Sequence, residues 1–246
     1  MLRTLIMPVL LAALVGCASN GSRDSRASEP WQSLFDGKSL DGWAIACKPT
    51  DRNRNFWKVD AGTILCDSIG TKDHDYIWLI TRREFDDFEL ELQVQTFRDS
   101  PGNSGVQVRS RYDDEAGWLD GPQIDIHPPA PWRTGFIYDE TRETKRWINP
   151  SLKNWKIDPS YATPGWTWKH ADEGDGWNTI RIVCRGSHIT TVVNGVTISN
   201  YDGTGVLDDE AHRAHNVGMR GHIALQLHKH DELRIRFRHI RVRTSG

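Results

Sequence analysis

The stretch Phe88-Glu89-Leu90-Glu91-Leu92-Gln93-Val94-Gln95 alternates apolar and polar side chains over its whole length. A strand points successive side chains to opposite faces, whereas a helix would spread this pattern around its circumference, so period two argues a half-buried strand. Shorter versions recur at 56–59, 106–109, 123–127, 179–184, 189–193, 223–228 and 235–242. Asn194-Gly195 lies between two β-rich runs, and that dipeptide favours a hairpin because both residues accept positive φ. Only residues 208–215 read as helix. Many short strands separated by turn residues predict an all-β sandwich or jelly roll.

Composition agrees. Hydrophobic residues are 37% of the 246, with 11 Trp, 21 Gly and 11 Pro, which describes neither a disordered chain, a collagen nor a membrane bundle. Lys and Arg number 31 against 33 Asp and Glu, with both signs scattered. Nucleic-acid binders neutralise phosphates with clustered Lys and Arg, so no nucleic-acid partner is expected.

The N-terminus carries an address. Arg3 precedes an apolar run at 5–15, too short to span a bilayer, which ends in Leu14-Val15-Gly16-Cys17. That tetrapeptide resembles a bacterial lipobox. The resemblance implies that residues 1–16 are a signal peptide, that Cys17 is lipidated, and that membrane contact is made through this anchor. Ala18 in place of Asp favours the outer membrane, with the protein facing the periplasm or the surface. The polar residues up to 30 read as a flexible tether, and a single domain is expected over 31–246. Cys47, Cys66 and Cys184 then remain, without a C-x-x-C pair. One disulfide, best between Cys47 and Cys66, and three buried thiols are both compatible with their spacing.

Alternation lapses between residues 139 and 177, where Trp147, Trp155, Trp166 and Trp168 stand among Lys, Asp, Pro and Gly. Such a long Trp-rich loop insertion suits a binding loop, in which indoles meet the apolar faces of sugar rings, or a loop pinned to the sandwich by its own tryptophans.

Strand phase carries the functional argument. With Val106 and Val108 facing a core, Gln107 and Arg109 face away. With Ile124 and Ile126 inward, Gln123, Asp125 and His127 face away, and with Ile223, Leu225 and Leu227 inward, Gln226 and His228 do so. If the three strands are neighbours, these side chains form a site in which Asp and His exchange protons, Arg stabilises an oxyanion and Gln orients hydroxyls. No cofactor is firmly implied. A divalent metal could be held by Asp125 with His127, by His228 with His230, or by His212 with His215, although none of these spacings is specific and the last pair is expected at the surface.

The chain also matches a family pattern in order. Its pieces are Leu34-Phe35-Asp36-Gly37-Lys38-Ser39-Leu40-Asp41-Gly42-Trp43, Phe56-Trp57-Lys58-Val59, Gly102-Asn103-Ser104-Gly105-Val106 leading to Arg109, Gly121-Pro122-Gln123-Ile124-Asp125-Ile126, Gly135-Phe136-Ile137-Tyr138-Asp139-Glu140-Thr141-Arg142, and Gly221-His222-Ile223-Ala224-Leu225-Gln226-Leu227-His228. The series resembles the 3-keto-disaccharide hydrolase domain family, also described as 3-keto-glycoside 1,2-lyases and 3-keto-2-hydroxyglucal hydratases. The resemblance implies a concanavalin A-like jelly-roll sandwich acting on sugars already oxidised at C3, and hence a separate sugar 3-dehydrogenase. It implies C2 proton abstraction, β-elimination of the C1 substituent and hydration. Asp125 and His228 are the expected acid–base pair, with Arg109 and Gln123 at the carbonyl and Tyr138, Glu140 and Arg142 closing the site or protonating the leaving oxygen. Gln107, Gln226, His127, Asn103, Trp166 and Trp168 are expected to bind substrate or shape the site. The Trp-rich insertion and His127-Pro128-Pro129 depart from the pattern, which leaves substrate preference open. A non-catalytic sugar-binding module, a glycosidase acting on unoxidised glycosides and a structural envelope lipoprotein are the competing readings.

Overall fold

The computed structural model describes residues 29–100, 102–128, 133–157 and 165–244. The signal segment and Cys17 lie outside the described residues. Among those described, no helix is long and apolar enough to cross a membrane.

The protein is a sandwich of two antiparallel sheets, in keeping with the expected fold. The first contains, in spatial order, β14 (Val196–Asp202), β13 (His188–Val193), β12 (Asn178–Arg185), β6 (Phe88–Thr96), β16 (Arg234–Thr244), β4 (Thr63–Asp67) and β3 (Trp57–Asp60), with β1 (Gln32–Ser33) added to β16. The second runs β11 (Arg146–Asn149), β10 (Ile137–Asp139), β9 (Pro122–Ile126), β7 (Ser104–Asp113), β15 (His222–Leu227), β5 (Ile77–Thr81) and β2 (Trp43–Cys47), with β8 (Trp118–Asp120) paired to the far end of β7. The only α-helix among the described residues, α1 (Glu210–His215), starts at Asp209, whose side chain accepts from the His212 N–H.

The alternation seen in the sequence builds the core. Phe88, Leu90, Leu92 and Val94 of β6 are buried and pair across to Ile180 and Ile182 on one side and to Phe237 and Val242 on the other. On β16 the phase changes midway. A register shift between Arg238 and Arg241, with His239 at φ +50°, lets Ile235, Phe237, Ile240 and Val242 all face inward. The β13–β14 turn has Asn194 at φ +48° and Gly195 at φ +83°, the positive pair that the right-handed twist of a two-residue hairpin requires.

The second sheet is covered on both faces in its middle. Ile77, Leu79, Ile124, Ile126 and Leu225 face the sandwich interior, while Trp78, Ile80 and Ala224 face outward into a smaller cluster with Ala46, Tyr76 and Leu119. The β7–β8 hairpin supplies Leu119, Trp118 and Tyr112 to this cover. Gly121 ends β8 at φ +127°, and a Cβ there would lie 2.3 Å from Ser110 Oγ, so this close approach requires glycine. The uncovered part of the outer face, over β9 and β10, is where a cavity opens.

Two expectations are corrected here, and one open alternative, that of the cysteines, is decided. Cys47 lies on β2 and Cys66 on β4, in opposite sheets, and both, like Cys184, are free and buried, so no Cys47–Cys66 disulfide forms. The insertion is not wholly irregular, because β11 pairs with β10 and carries Trp147 to the cavity. His212 is fully buried rather than at the surface, with Nδ1 2.8 Å from Asp209 Oδ1 and Nε2 3.3 Å from Asp139 Oδ1.

Candidate active site

The cavity, of about 260 Å³, lies on the outer face of the second sheet. Because Ile124 and Ile126 face the core, Gln123 and Asp125 project to its floor from β9. Tyr138 and Glu140 project beside them on alternate positions, while Asp139 between them turns inward to His212 and Arg146. Asn103 approaches from the turn before β7, and His228 and Lys229 from the end of β15. Asp125, Glu140, Tyr138, His228, Gln123 and Asn103, drawn from four separate strands or their ends, thus meet in one place.

Burial sets the electrostatics. Asp125 is 2% exposed, and loss of water pushes its carboxyl up to about 6 against the opposing pull of Arg133 and His228. Arg133 Nε donates to Asp125 Oδ2 at 2.9 Å. Glu140, 7% exposed, is pushed up to about 7, again chiefly by burial, with His228 and Lys145 lowering it and Asp125 and Asp139 raising it. Its backbone is fixed at both ends, since its N–H donates to Gly121 O at 3.1 Å and its carbonyl accepts from Trp118 Nε1 at 2.8 Å. Among the described residues, no hydrogen bond ends on its carboxylate. Burial, then Glu140, Asp139 and Asp125, hold the Tyr138 phenol at about 12, so it stays a hydrogen-bond donor at neutral pH.

His228 is oriented from both sides. Its Nε2 lies 3.0 Å from the Tyr76 hydroxyl, its Nδ1 is 3.0 Å from Lys229 O and 3.4 Å from Asp231 Oδ2, and its ring meets Tyr76 edge-on at 4.8 Å. Asp231, whose other bond accepts the Asn103 N–H at 2.8 Å, is held low by these partners in spite of its burial. Such an imidazole between a phenol and a carboxylate can take up a proton at one nitrogen while the other stays fixed.

Several expected residues are elsewhere. Arg109 is 0% exposed and binds the carbonyls of Asp86 (2.6 Å), Gly186 and Gly218 (3.2 Å) and Asp87 Oδ1 (2.9 Å). A register shift between β7 and β15, with Arg109 at φ +50°, breaks the alternation that would have aligned it with Gln107. Gln107 and Gln226 do face outward, but both are fully buried beside the small outer cluster, and neither lines the cavity. Arg142 is engaged by Asp120 and Asp113 outside the cavity. Trp166 and Trp168 stack on each other at 6.2 Å and pack against the main core, with Trp168 Nε1 donating to Thr96 Oγ1 at 2.8 Å. His127 ends β9 outside the lining, its backbone N–H on Thr134 Oγ1 at 3.0 Å.

Trp147 of the Trp-rich insertion lines the cavity, and Tyr76, Trp118, Arg133 and Lys145 line it without having been singled out in the sequence. Only Tyr76 had a readable signal, as the first residue of the run Tyr76-Ile77-Trp78-Leu79-Ile80, whose apolar residues on both phases mark a strand covered on both faces. Lys145 lies with Nζ 3.7 Å from the Trp118 ring centroid, and Arg133 faces Trp147 at 5.7 Å. Among the described residues no three His, Cys, Asp or Glu side chains are grouped to hold an ion.

Comparison with solved structures supports the fold. The chain matches a candidate glycosyl hydrolase from Parabacteroides distasonis with a TM-score of 0.57 at 14% identity, covering 88% of this chain and 94% of that one. A second from the same organism gives 0.53 at 23% identity, covering 88% and 100%. A Bacillus subtilis protein of unknown function with a galectin-like fold gives 0.55 at 11% identity, covering 89% and 98%. No curated protein matches the chain. The family model for the 3-keto-alpha-glucoside-1,2-lyase-like domain matches residues 30–243, nearly the whole described sandwich. The chain therefore belongs to the 3-keto-alpha-glucoside-1,2-lyase-like domain family and is a carbohydrate-active protein.

Proposed function

We propose that the protein cleaves 3-keto-glycosides by elimination followed by hydration. The observation that carries this reading is the pair of buried carboxyls, Asp125 at about 6 and Glu140 at about 7, sharing one cavity with His228 and the cations Arg133 and Lys145. A ketone at C3 acidifies the C2 proton, so the reaction needs a base, an electrophile at the C3 oxygen and an acid at the leaving oxygen, all effective near neutrality.

Asp125, ionised above about 6, takes the C2 proton. The electron pair moves onto the C3 oxygen, where Arg133, already beside Asp125, stabilises the enediolate in place of the expected Arg109. As the C3 carbonyl re-forms, a C1–C2 double bond is made and the C1 oxygen leaves with a proton from Glu140, whose raised pKa keeps it protonated. Tyr138 donates to a substrate hydroxyl or to the same oxygen. His228, held by Tyr76 and Asp231, then takes a proton from the water that adds at C1, while C2 is reprotonated.

The same reading calls for a separate dehydrogenase that makes the ketone, and for tethering of the domain to the outer membrane through Cys17. The test is incubation of the purified domain with 3-keto-glucosides, following aglycone release and transient enone absorbance. Asp125→Asn and His228→Ala are expected to lower kcat/KM by about 10²–10⁴. Binding without turnover would favour a lectin-like role, and equal cleavage of unoxidised glycosides an ordinary glycosidase.

A further inference from the structure

Two ammonium groups stand at the mouth of the cavity without a carboxylate to pair with. Lys145 and Lys229 both line it, and both are exposed. Among the described residues neither side chain forms an ion pair or a hydrogen bond, and aromatic rings hold them instead. Lys145 Nζ lies 3.7 Å from the Trp118 ring centroid, Lys229 Nζ lies 5.6 Å from that of Tyr76, and those two rings meet edge-on at 5.1 Å. Lys48, Lys72 and Lys169, by contrast, each reach a carboxylate. A ring face steadies an ammonium while leaving its other N–H groups free to donate.

Lys145 is placed there at a cost. Glu143 at φ +68° and Lys145 at φ +44° take left-handed backbone in the link between β10 and β11, where glycine or asparagine is cheaper. The Lys145 N–H closes this turn by donating to Thr141 O at 3.1 Å. Its ammonium is not spent on the neighbouring Glu140, which feels the charge yet stays raised to about 7 by burial. With Arg133 paired to Asp125, the two lysines leave the cavity an excess of positive charge, in a chain whose formal net charge is −2. A concave site lined by one sign of charge draws the opposite sign.

The two lysines stand on the leaving-group side. Trp118 Nε1 bonds the Glu140 carbonyl and the Tyr76 hydroxyl meets His228 Nε2, so both rings belong with the residues that serve C1. Arg133 and Trp147 stand instead with Asp125, which serves C2 and C3. At about 260 Å³ the cavity falls below the ~300–1,000 Å³ of most ligand pockets. It takes the reacting ring with little beyond it, which leaves the aglycone at the mouth. We infer that the protein selects 3-keto-glycosides whose aglycone carries an anionic group, a carboxylate, sulfate or phosphate, received by Lys145 and Lys229. This rests on the elimination–hydration reading, which says which end of the substrate the two lysines face.

Matched glycosides test this. The 3-keto-glucoside of carboxyphenol is expected to show kcat/KM about three- to tenfold above that of its neutral carbamoylphenol counterpart at low salt. The gap should narrow as ionic strength rises to about 0.5 M. In the variant carrying both Lys145→Met and Lys229→Met the ratio should fall to about one. The ratio cancels any effect of the lost charges on Glu140, because both substrates feel it alike. Sulfophenyl and phosphophenyl glucosides run beside them show which anion is preferred, and a preference for any of the three supports the inference. Calorimetric binding of the same glycosides in unoxidised form should show the same ordering, and it reads the anion site without any turnover. If that ordering appears but no 3-keto-glycoside is cleaved, the functional reading fails while the anion site stands. Equal binding of charged and neutral glycosides, no binding of the charged one, or a preference that survives loss of both lysines would overturn the inference. So would a stronger preference for phenyl glucuronide over phenyl glucoside, since that places the anion on the sugar rather than on the aglycone.

Discussion

Replacing Arg109 with leucine separates a structural arginine from a catalytic one. The guanidinium is fully buried and donates to three backbone carbonyls, Asp86, Gly186 and Gly218, and to the carboxylate of Asp87. Gly186 belongs to the β12–β13 turn of the first sheet, so Arg109, on β7, ties the two layers together. Leucine fills part of the volume but offers no donor. The Asp87 side chain is 44% exposed and also accepts the Gly186 N–H, so water can compensate most of its loss. The carbonyls lose more, at about 1–3 kcal/mol for each one left unsatisfied. Allowing for partial hydration at the sandwich edge, the variant should lose about 3–5 kcal/mol, similar to breaking a buried ion pair. At about 2–4 °C per kcal/mol for a domain of this size, Tm falls by about 6–20 °C. Scanning calorimetry measures that shift, and aglycone release assayed well below the variant's Tm should give kcat/KM within about threefold of wild type. A variant with unchanged Tm and kcat/KM reduced about a hundredfold would refute this account and return Arg109 to the chemistry. Arg109→Lys should recover little, because one ammonium cannot span four acceptors held in a planar fork.

Activity should follow a bell-shaped pH profile, rising as Asp125 ionises near 6 and falling as Glu140 deprotonates near 7. Stopped assays across pH 5–9, with Glu140→Gln expected to remove the alkaline limb, check this assignment. Stability should carry a separate pH signature from His212. Burial opposes its charge, but Asp139 and Asp209 hold its pKa above 6.5, so its contribution is full below about 6.5 and fades as pH rises through the raised value. The two carboxylates, lowered from 3.8 and with Asp209 at about 2, contribute above about 4 and lose that contribution as pH falls towards their folded values. Chemical denaturation should therefore show His212→Gln most destabilised between about pH 4 and 6.5 and least at pH 9. Gly105→Ala should cost about 1–3 kcal/mol by overpacking against Gln123, together with activity. Adding Gln123→Ala should restore the melting temperature but not turnover, and a double variant as unstable as the single would show that Gln123 is not what the added methyl meets.

How much of this was legible in the chain follows from the range of each interaction. The period-two run at Phe88 and the Asn194-Gly195 turn fixed strands and a hairpin because side-chain direction and φ are set by sterics within a few residues. The same local phase placed Gln123 and Asp125 on the outward face of β9, and the ordered motifs picked out Tyr138, Glu140 and His228. Phase alone could not tell an outward side chain in a cavity from one under a cover. Gln107 and Gln226 have the same phase as the cavity residues, yet Leu119 and its neighbours in the β7–β8 hairpin close over that part of the sheet. Nor could it foresee the register shift at Arg109, which arises only when β15 pairs with β7.

The sequence by itself determined the strands, the sandwich and the family, since these rest on repeated local preferences that reinforce one another along the chain. Only the tertiary structure decided that Arg133, Lys145 and Tyr76 join Asp125, Glu140 and His228, that His212 is buried between two aspartates, and that Cys47 and Cys66 stay apart. Each of those outcomes depends on which distant segments pack together, and through that on how much water is removed from each charge, a quantity that no single stretch of chain contains.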